Sequence, residues 1–164
     1  MTDTTVRPSL RFVYSHPAHF FAFGGGIGLI PFAPGTFGTL LAIPLFHVLQ
    51  PRLDAWTFLA VIVALFWLGA WACAVAGRAL GAADHGGMVW DEVVAFLLVL
   101  FFVPAGAYWQ AFAFVVFRFF DIFKPPPIRY YDRTLKNGFG VMWDDLIAAA
   151  YTLLVLAAFY AWLD

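Results

Sequence analysis

Charge is what this sequence has least of. Asp, Glu, Lys and Arg make up 12% of its 164 residues, against roughly 25% in an ordinary soluble domain. Hydrophobic residues reach 63% and the mean hydropathy is +0.85, which leaves too little polar surface to cover a water-soluble monomer of this size. A bilayer resolves the imbalance by acting as solvent; the alternative is an apolar helical bundle in water that oligomerises. The net charge of −1 provides no field for nucleic acid, and no basic run is interleaved with aromatics, so no nucleic-acid partner is expected. The single cysteine, Cys73, lies in an apolar run and has no partner for an intramolecular disulfide. It reads as a small core or lipid-facing residue. Residues 1–23 lack an unbroken apolar core followed by a small-residue cleavage site, so a cleaved signal peptide is not expected. No Gly-Lys-Ser/Thr follows the glycine-rich stretch at 24–38, which excludes a nucleotide P-loop there. A backbone nest for phosphate or a plain tight turn both remain open for that stretch.

What is abundant is aromatic and helical. Seven Trp, six Tyr and twenty Phe suit a protein with two lipid–water interfaces, where amphipathic rings settle. Residues 9–23 mix aromatics with Arg11, His16 and His19, a composition suited to an interfacial segment. Thr36 is placed to cap an apolar helix over 36–49, interrupted by Pro44. The longest apolar run, 55–80, is long enough to cross about 30 Å of hydrocarbon. Segments 88–103 and 105–120 are shorter than the roughly 20 residues of a full span, so tilt or limited depth is expected. A polar, proline-rich connection over 121–142 precedes a last apolar helix from Trp143, with Asp144 and Asp145 in its first turn, where the helix dipole favours carboxylates. The expectation is one all-α domain over 1–164, a multi-pass membrane bundle of about four apolar helices.

If each hairpin crosses and returns, every polar break converges on one face. Eight of the nine Lys and Arg residues (Arg7, Arg11, Arg78, Arg118, Lys124, Arg129, Arg133, Lys136) fall there, and only Arg52 falls opposite. The positive-inside rule makes the crowded face cytoplasmic. Seven of the ten acidic residues share it: Asp84, Asp91, Glu92, Asp121, Asp132, Asp144 and Asp145. Helix capping explains Asp91 or Asp144 singly. It does not explain two adjacent acidic pairs plus Asp121, because isolated carboxylates at apolar helices are expensive.

Clustered carboxylates repel unless protons or a cation intervene, and hard oxygen ligands suit Mg²⁺ with substrate phosphate. Asp91, Glu92, Asp121, Asp144 and Asp145 are the candidate metal ligands and water activators. Arg118 and Lys124 flank Asp121 at three-residue spacing, offering a bidentate and a point-charge contact for phosphate; internal Arg118–Asp121 pairing is the competing reading. Arg129, Lys136 and Thr36 are further candidates for phosphate. His85 beside Asp84 is a candidate acid or base, or an ordinary loop histidine, and Asp132 completes the acidic set. A transporter would need polar groups along a path between both faces, and the far face is nearly bare. A non-catalytic lipid-binding protein would need no metal.

Four blocks, IPFAPGTFGT (30–39), DEVV (91–94), FRFFDIFKPPPIR (117–129) and NGFGVMWDD (137–145), resemble the phosphatidylglycerophosphatase A family in the same order. The resemblance implies a Mg²⁺-dependent phosphatase of the bacterial inner membrane that converts phosphatidylglycerophosphate to phosphatidylglycerol and phosphate. Its acidic blocks correspond to Asp91-Glu92, Asp121 and Asp144-Asp145, with Arg118 and Lys124 in the Asp121 motif. Ala95, Asn137-Gly138 and Ala149 depart from positions where glycine is usual in the family, but no charged position is lost.

Overall fold

A computed structural model describes residues 8–163. Arg7 and most of the polar start of the chain, expected to be frayed, lie outside the described residues. The described chain is all helix and turn, with no strand. Two short helices, α1 (Leu10–Val13) and α2 (Pro17–Ala22), lead through a 3-10 segment (Gly24–Leu29) into α3 (Pro34–Leu49). There follow α4 (Ala55–Leu80), α5 (Trp90–Phe102), α6 (Ala107–Phe123), α7 (Ile128–Thr134) and α8 (Gly138–Leu163).

Helix α5 is the axis of the bundle. All its residues from Trp90 to Leu97 except Glu92 are buried, and it packs against α3, α4 and α8. A helix apolar on every side has to be enclosed. The close approach of α4 to its neighbours rests on small residues: Gly69, Cys73 and Gly77, four apart, with Ala70, Ala72 and Ala76 between them, are all buried. A Cβ on Gly69 would lie 2.5 Å from Met142 Sδ of α8, and one on Gly138 would collide with the Ala70 carbonyl. Small residues at four-residue spacing are how helices approach when lipid removes the hydrophobic incentive to associate.

Helices α4 and α8 are each 26 residues long, with hydropathies of 2.4 and 2.1 over their most apolar windows. At 1.5 Å per residue each is about 39 Å long, enough to cross a membrane. Only 33% and 22% of those windows are buried, so their outer faces, with Trp67, Trp71, Leu154 and Trp162, are left exposed. That is unlike the core helices of a soluble bundle, whose apolar surface is enclosed.

Several expected boundaries move. Asp121 lies inside α6, which runs on to Phe123, and α7 occupies part of the expected connection. Helix α8 starts at Gly138, so Asp144 and Asp145 occupy its second turn and not its first; the dipole fades within the first turn and cannot be what holds them. Helix α3 continues through Pro44. Its N-cap is Ala33 in the left-handed region, followed by Pro34, and Thr36 makes no capping bond. The convergence of polar breaks is as expected. The turns at Gln50–Leu53 and Pro104–Gly106 line one recess at the far end, while the starts of α5 and α8 and the end of α6 meet at the other.

Candidate active site

The cluster at that end divides into two halves. Residues 91 and 92 occupy the first turn of α5, and α8 contributes Asp144 and Asp145. Adjacent helical residues point about 100° apart, so each acidic pair is split between directions. Asp91, Glu92 and Asp145 form one half: one carboxylate oxygen from each lies within 4.8 Å of the other two. Asp91 and Asp145 are buried, and Glu92 keeps 12% of its side chain exposed. Two full negative charges at such a distance repel by about 3–4 kcal/mol at an effective dielectric near 20.

Asp144 turns to the other half. Lys124 Nζ donates to Asp144 Oδ2 at 2.5 Å and to Asp132 Oδ1 of α7 at 2.7 Å. Burial works against the charge on Lys124, but Asp144 and Asp132 outweigh it and hold the ammonium above its usual range. Burial likewise works to raise Asp132, and the hydrogen bond and charge of Lys124, with Lys136 adding, hold its carboxyl below the ordinary value. Lys124 terminates α6 with φ of +44°, and Ala33, before the glycine-rich start of α3, has φ of +46°. Among the described residues these are the two non-glycine positions with positive φ, and such strain persists where surrounding structure imposes it.

Arg118 ties the acid trio to α6 and α3. Its guanidinium pairs with Asp121, one turn on in α6, lies 3.6 Å from Glu92 Oε1, and donates to Thr39 Oγ1 at 3.3 Å. Thr39 in turn donates to the Gly35 carbonyl at 2.9 Å. A Cβ at Gly35 would meet Glu92 Oε1 and push that carboxylate out of its present place. The internal pairing of Arg118 with Asp121 is thus present, and it aims the arginine at Glu92.

Four buried side-chain polar atoms lack any hydrogen-bond partner among the described residues: Asp91 Oδ1, Glu92 Oε2, Asp145 Oδ2 and Arg118 Nε. All four belong to this site. Native proteins satisfy nearly all such atoms, so a cluster of exceptions indicates a missing partner. Three unsatisfied carboxylate oxygens beside an unsatisfied guanidinium N–H fit a cation together with an anion. The 4.8 Å span of the acid trio suits a hard cation whose oxygen ligands lie at about 2.0–2.6 Å, so the residues present fit Mg²⁺.

Of the remaining candidates, Lys136 and Asp84, both exposed, line a small recess with Asp132 and Asp144. Thr36 is half-buried in the first turn of α3. Arg129 is exposed and donates to the Phe123 carbonyl at 3.2 Å, making no ion pair with the cluster. His85 accepts from Gly87 N–H at 3.0 Å and packs on Phe23, the arrangement of an ordinary loop histidine. Two participants escaped the sequence reading. Gly35 and Thr39 stand in a block already noted for its glycines, and only the approach of α5 and α6 shows their purpose.

The sequence profile of the phosphatidylglycerophosphatase A family matches residues 20–160. The chain belongs to that family. It is 42% identical to a phosphatidylglycerophosphatase A of Haemophilus influenzae over 98% of this chain and 99% of the relative. It is 36% identical to the Escherichia coli K12 phosphatidylglycerophosphatase A over 89% and 85%. A Bacteroides thetaiotaomicron protein with the provisional name phosphatidylinositol-3-phosphatase is 38% identical over 82% and 87%. No solved structure matches the chain. Every acidic and basic residue of the two halves falls inside the stretch matched by the family.

Proposed function

We propose that this chain is a Mg²⁺-dependent membrane phosphatase. It hydrolyses the terminal phosphomonoester of phosphatidylglycerophosphate to phosphatidylglycerol and inorganic phosphate. Family membership supports the activity, and the unsatisfied oxygens of Asp91, Glu92 and Asp145 carry the assignment of the site. These three residues would hold the cation, which when bound polarises phosphoryl oxygen and makes water more acidic. Arg118, held by Asp121 and Thr39, presents its guanidinium beside Glu92 to take phosphate oxygens as a bidentate donor. Lys124, held by Asp132 and Asp144, supplies a second positive charge for the charge that develops on the phosphoryl oxygens. Helices α4 and α8 cross the bilayer and put the charged end at its surface. The basic residues gathered there orient that end to the bacterial cytoplasm.

The assay is phosphate release from phosphatidylglycerophosphate by the purified protein, with and without EDTA. Release that EDTA abolishes and Mg²⁺ restores is the expected result; release indifferent to EDTA removes the metal assignment. Asp121→Asn, which leaves Arg118 without its holding charge, is expected to lower activity about a hundredfold or more while the protein stays folded. Full activity in that variant ends the role given to Arg118. Both lipids in the relatives' names join a phosphomonoester to a phosphodiester-linked headgroup, so the B. thetaiotaomicron relative makes a phosphorylated inositol lipid the control substrate.

A further inference from the structure

The proposed substrate carries two phosphates, and the carboxylate centre accounts for one. The terminal monoester is hydrolysed, while a three-carbon bridge away a phosphodiester keeps its negative charge throughout. One recess beside the centre has the chemistry to hold it.

This recess, of about 290 Å³, lies between the last turn of α4 and the start of α8, and Cys73, Gly77, Arg78, Lys136, Asn137 and Gly138 are among its lining residues. Two cations reach it from different elements. Among the described residues, neither Arg78 nor Lys136 pairs with a carboxylate within 4.0 Å. The start of the 26-residue α8 borders the same space, and a helix of that length contributes partial positive charge at its first N–H groups. Asn137 occupies only one of those donors, accepting from Gly140 N–H at 2.8 Å through its side chain. Lys136 also lines the adjoining recess with Asp84, Asp132 and Asp144, so one lysine connects the cationic recess to the Lys124 half of the centre. Of those acids, Asp132 and Asp144 share the single charge of Lys124.

We propose that the Arg78–Lys136 recess binds the phosphodiester of the lipid substrate while its monoester lies at the carboxylate centre. The inference rests on the phosphomonoesterase reading above. Arg78 is then a specificity-determining residue. It favours lipids with two phosphates over phosphatidate, whose single monoester sits directly on diacylglycerol. A purely structural Arg78 would only complement the dipole at the end of α4 and would alter stability without altering substrate preference.

The test uses the full chain in mixed micelles with Mg²⁺, comparing phosphate release from phosphatidylglycerophosphate and from phosphatidate. Arg78→Gln is expected to raise KM for phosphatidylglycerophosphate about tenfold, the loss of one charge-assisted contact, with KM for phosphatidate moving less than about twofold. Arg78→Lys should recover most of the loss, and Lys136→Gln should shift KM in the same direction. Binding of phosphatidylglycerol, which keeps the diester but offers nothing to hydrolyse, reads the recess without the chemistry and should weaken about tenfold in Arg78→Gln. Arg78-dependent phosphatidylglycerol binding in a chain that releases no phosphate would remove the hydrolytic reading and leave the recess standing. Normal hydrolysis with both KM and phosphatidylglycerol binding indifferent to Arg78, or KM rising equally for both lipids, overturns the recess and leaves the hydrolytic reading intact.

Discussion

The two halves of the charged centre lie side by side on α8 and are built on opposite terms. Asp144 faces a lysine that it shares with Asp132, and the ammonium donates to both carboxylates. Asp145, the next residue, faces Asp91 and Glu92 across the packed start of α5 and has an oxygen with no partner. One half is complete as the protein folds. The other has three carboxylate oxygens without a partner among the described residues, which under the proposed function a cation would take. An ion pair in place stabilises the fold and fixes the lysine, whereas an acid trio held by surrounding packing destabilises the fold and, under the proposed function, would hold a cation. This division predicts that substitutions in the two halves differ in what they do to stability.

The largest effect is expected at Asp145. Asp145→Asn keeps the shape and removes one of the repelling charges, so activity should fall about a thousandfold or more. In EDTA the variant should unfold at the same temperature as the wild type or higher. Saturating Mg²⁺ at about 100 times its Kd should stabilise the wild type by about 2.7 kcal/mol and leave the variant unmoved. Loss of folding in the metal-free variant would mean that the trio is structural, and the contrast between the halves would collapse.

Lys124→Met differs from Asp145→Asn in its effect on stability. It strands Asp144 and Asp132 without their cation, and breaking a largely buried pair costs about 3 kcal/mol. The loss should appear in thermal unfolding even in EDTA, where Asp145→Asn shows none.

The smallest effect belongs to the rim. Asp132 keeps 24% of its side chain exposed, so Asp132→Asn should cost only about 0.5–1 kcal/mol. Its sign with pH is fixed. Because the folded carboxyl is held below its ordinary value, its contribution is fully present above the usual carboxylate pKa of about 3.9. It disappears as pH falls through the depressed folded value. Wild type and Asp132→Asn should therefore begin to converge in stability as pH falls below about 4 and meet once it is below the depressed folded value; a difference that persisted at the acid limit would show that Asp132 acts through packing.

Much of the centre could be read from the chain. Asp91-Glu92, Asp121 and Asp144-Asp145 stood out because carboxylates are rare in so apolar a sequence, and the structure brings all five together through Arg118 and Lys124. Helix ends were less legible. Trp143 looked like a helix start because polar residues precede it, but Gly138 and Gly140 are there for contact: a Cβ on either would collide with the Ala70 or Leu135 carbonyl. Thr36 looked like a cap by residue type, yet Ala33 and Pro34 make the entry to α3 and leave that hydroxyl without the role. His85 drew notice beside Asp84, and in the structure its ring accepts from Gly87 N–H and packs on Phe23.

The sequence by itself determined that the chain is helical and apolar, and that its charges gather at one end. Those properties follow from composition and spacing, which act locally along the chain. It also carried the four motif blocks that mark the family. Which carboxylates are satisfied, and which are left waiting, only the tertiary structure decided. Asp144 and Asp145 are the same residue type at adjacent positions. What distinguishes them is the 100° between neighbouring helical side chains, which turns one toward Lys124 and the other toward the buried start of α5.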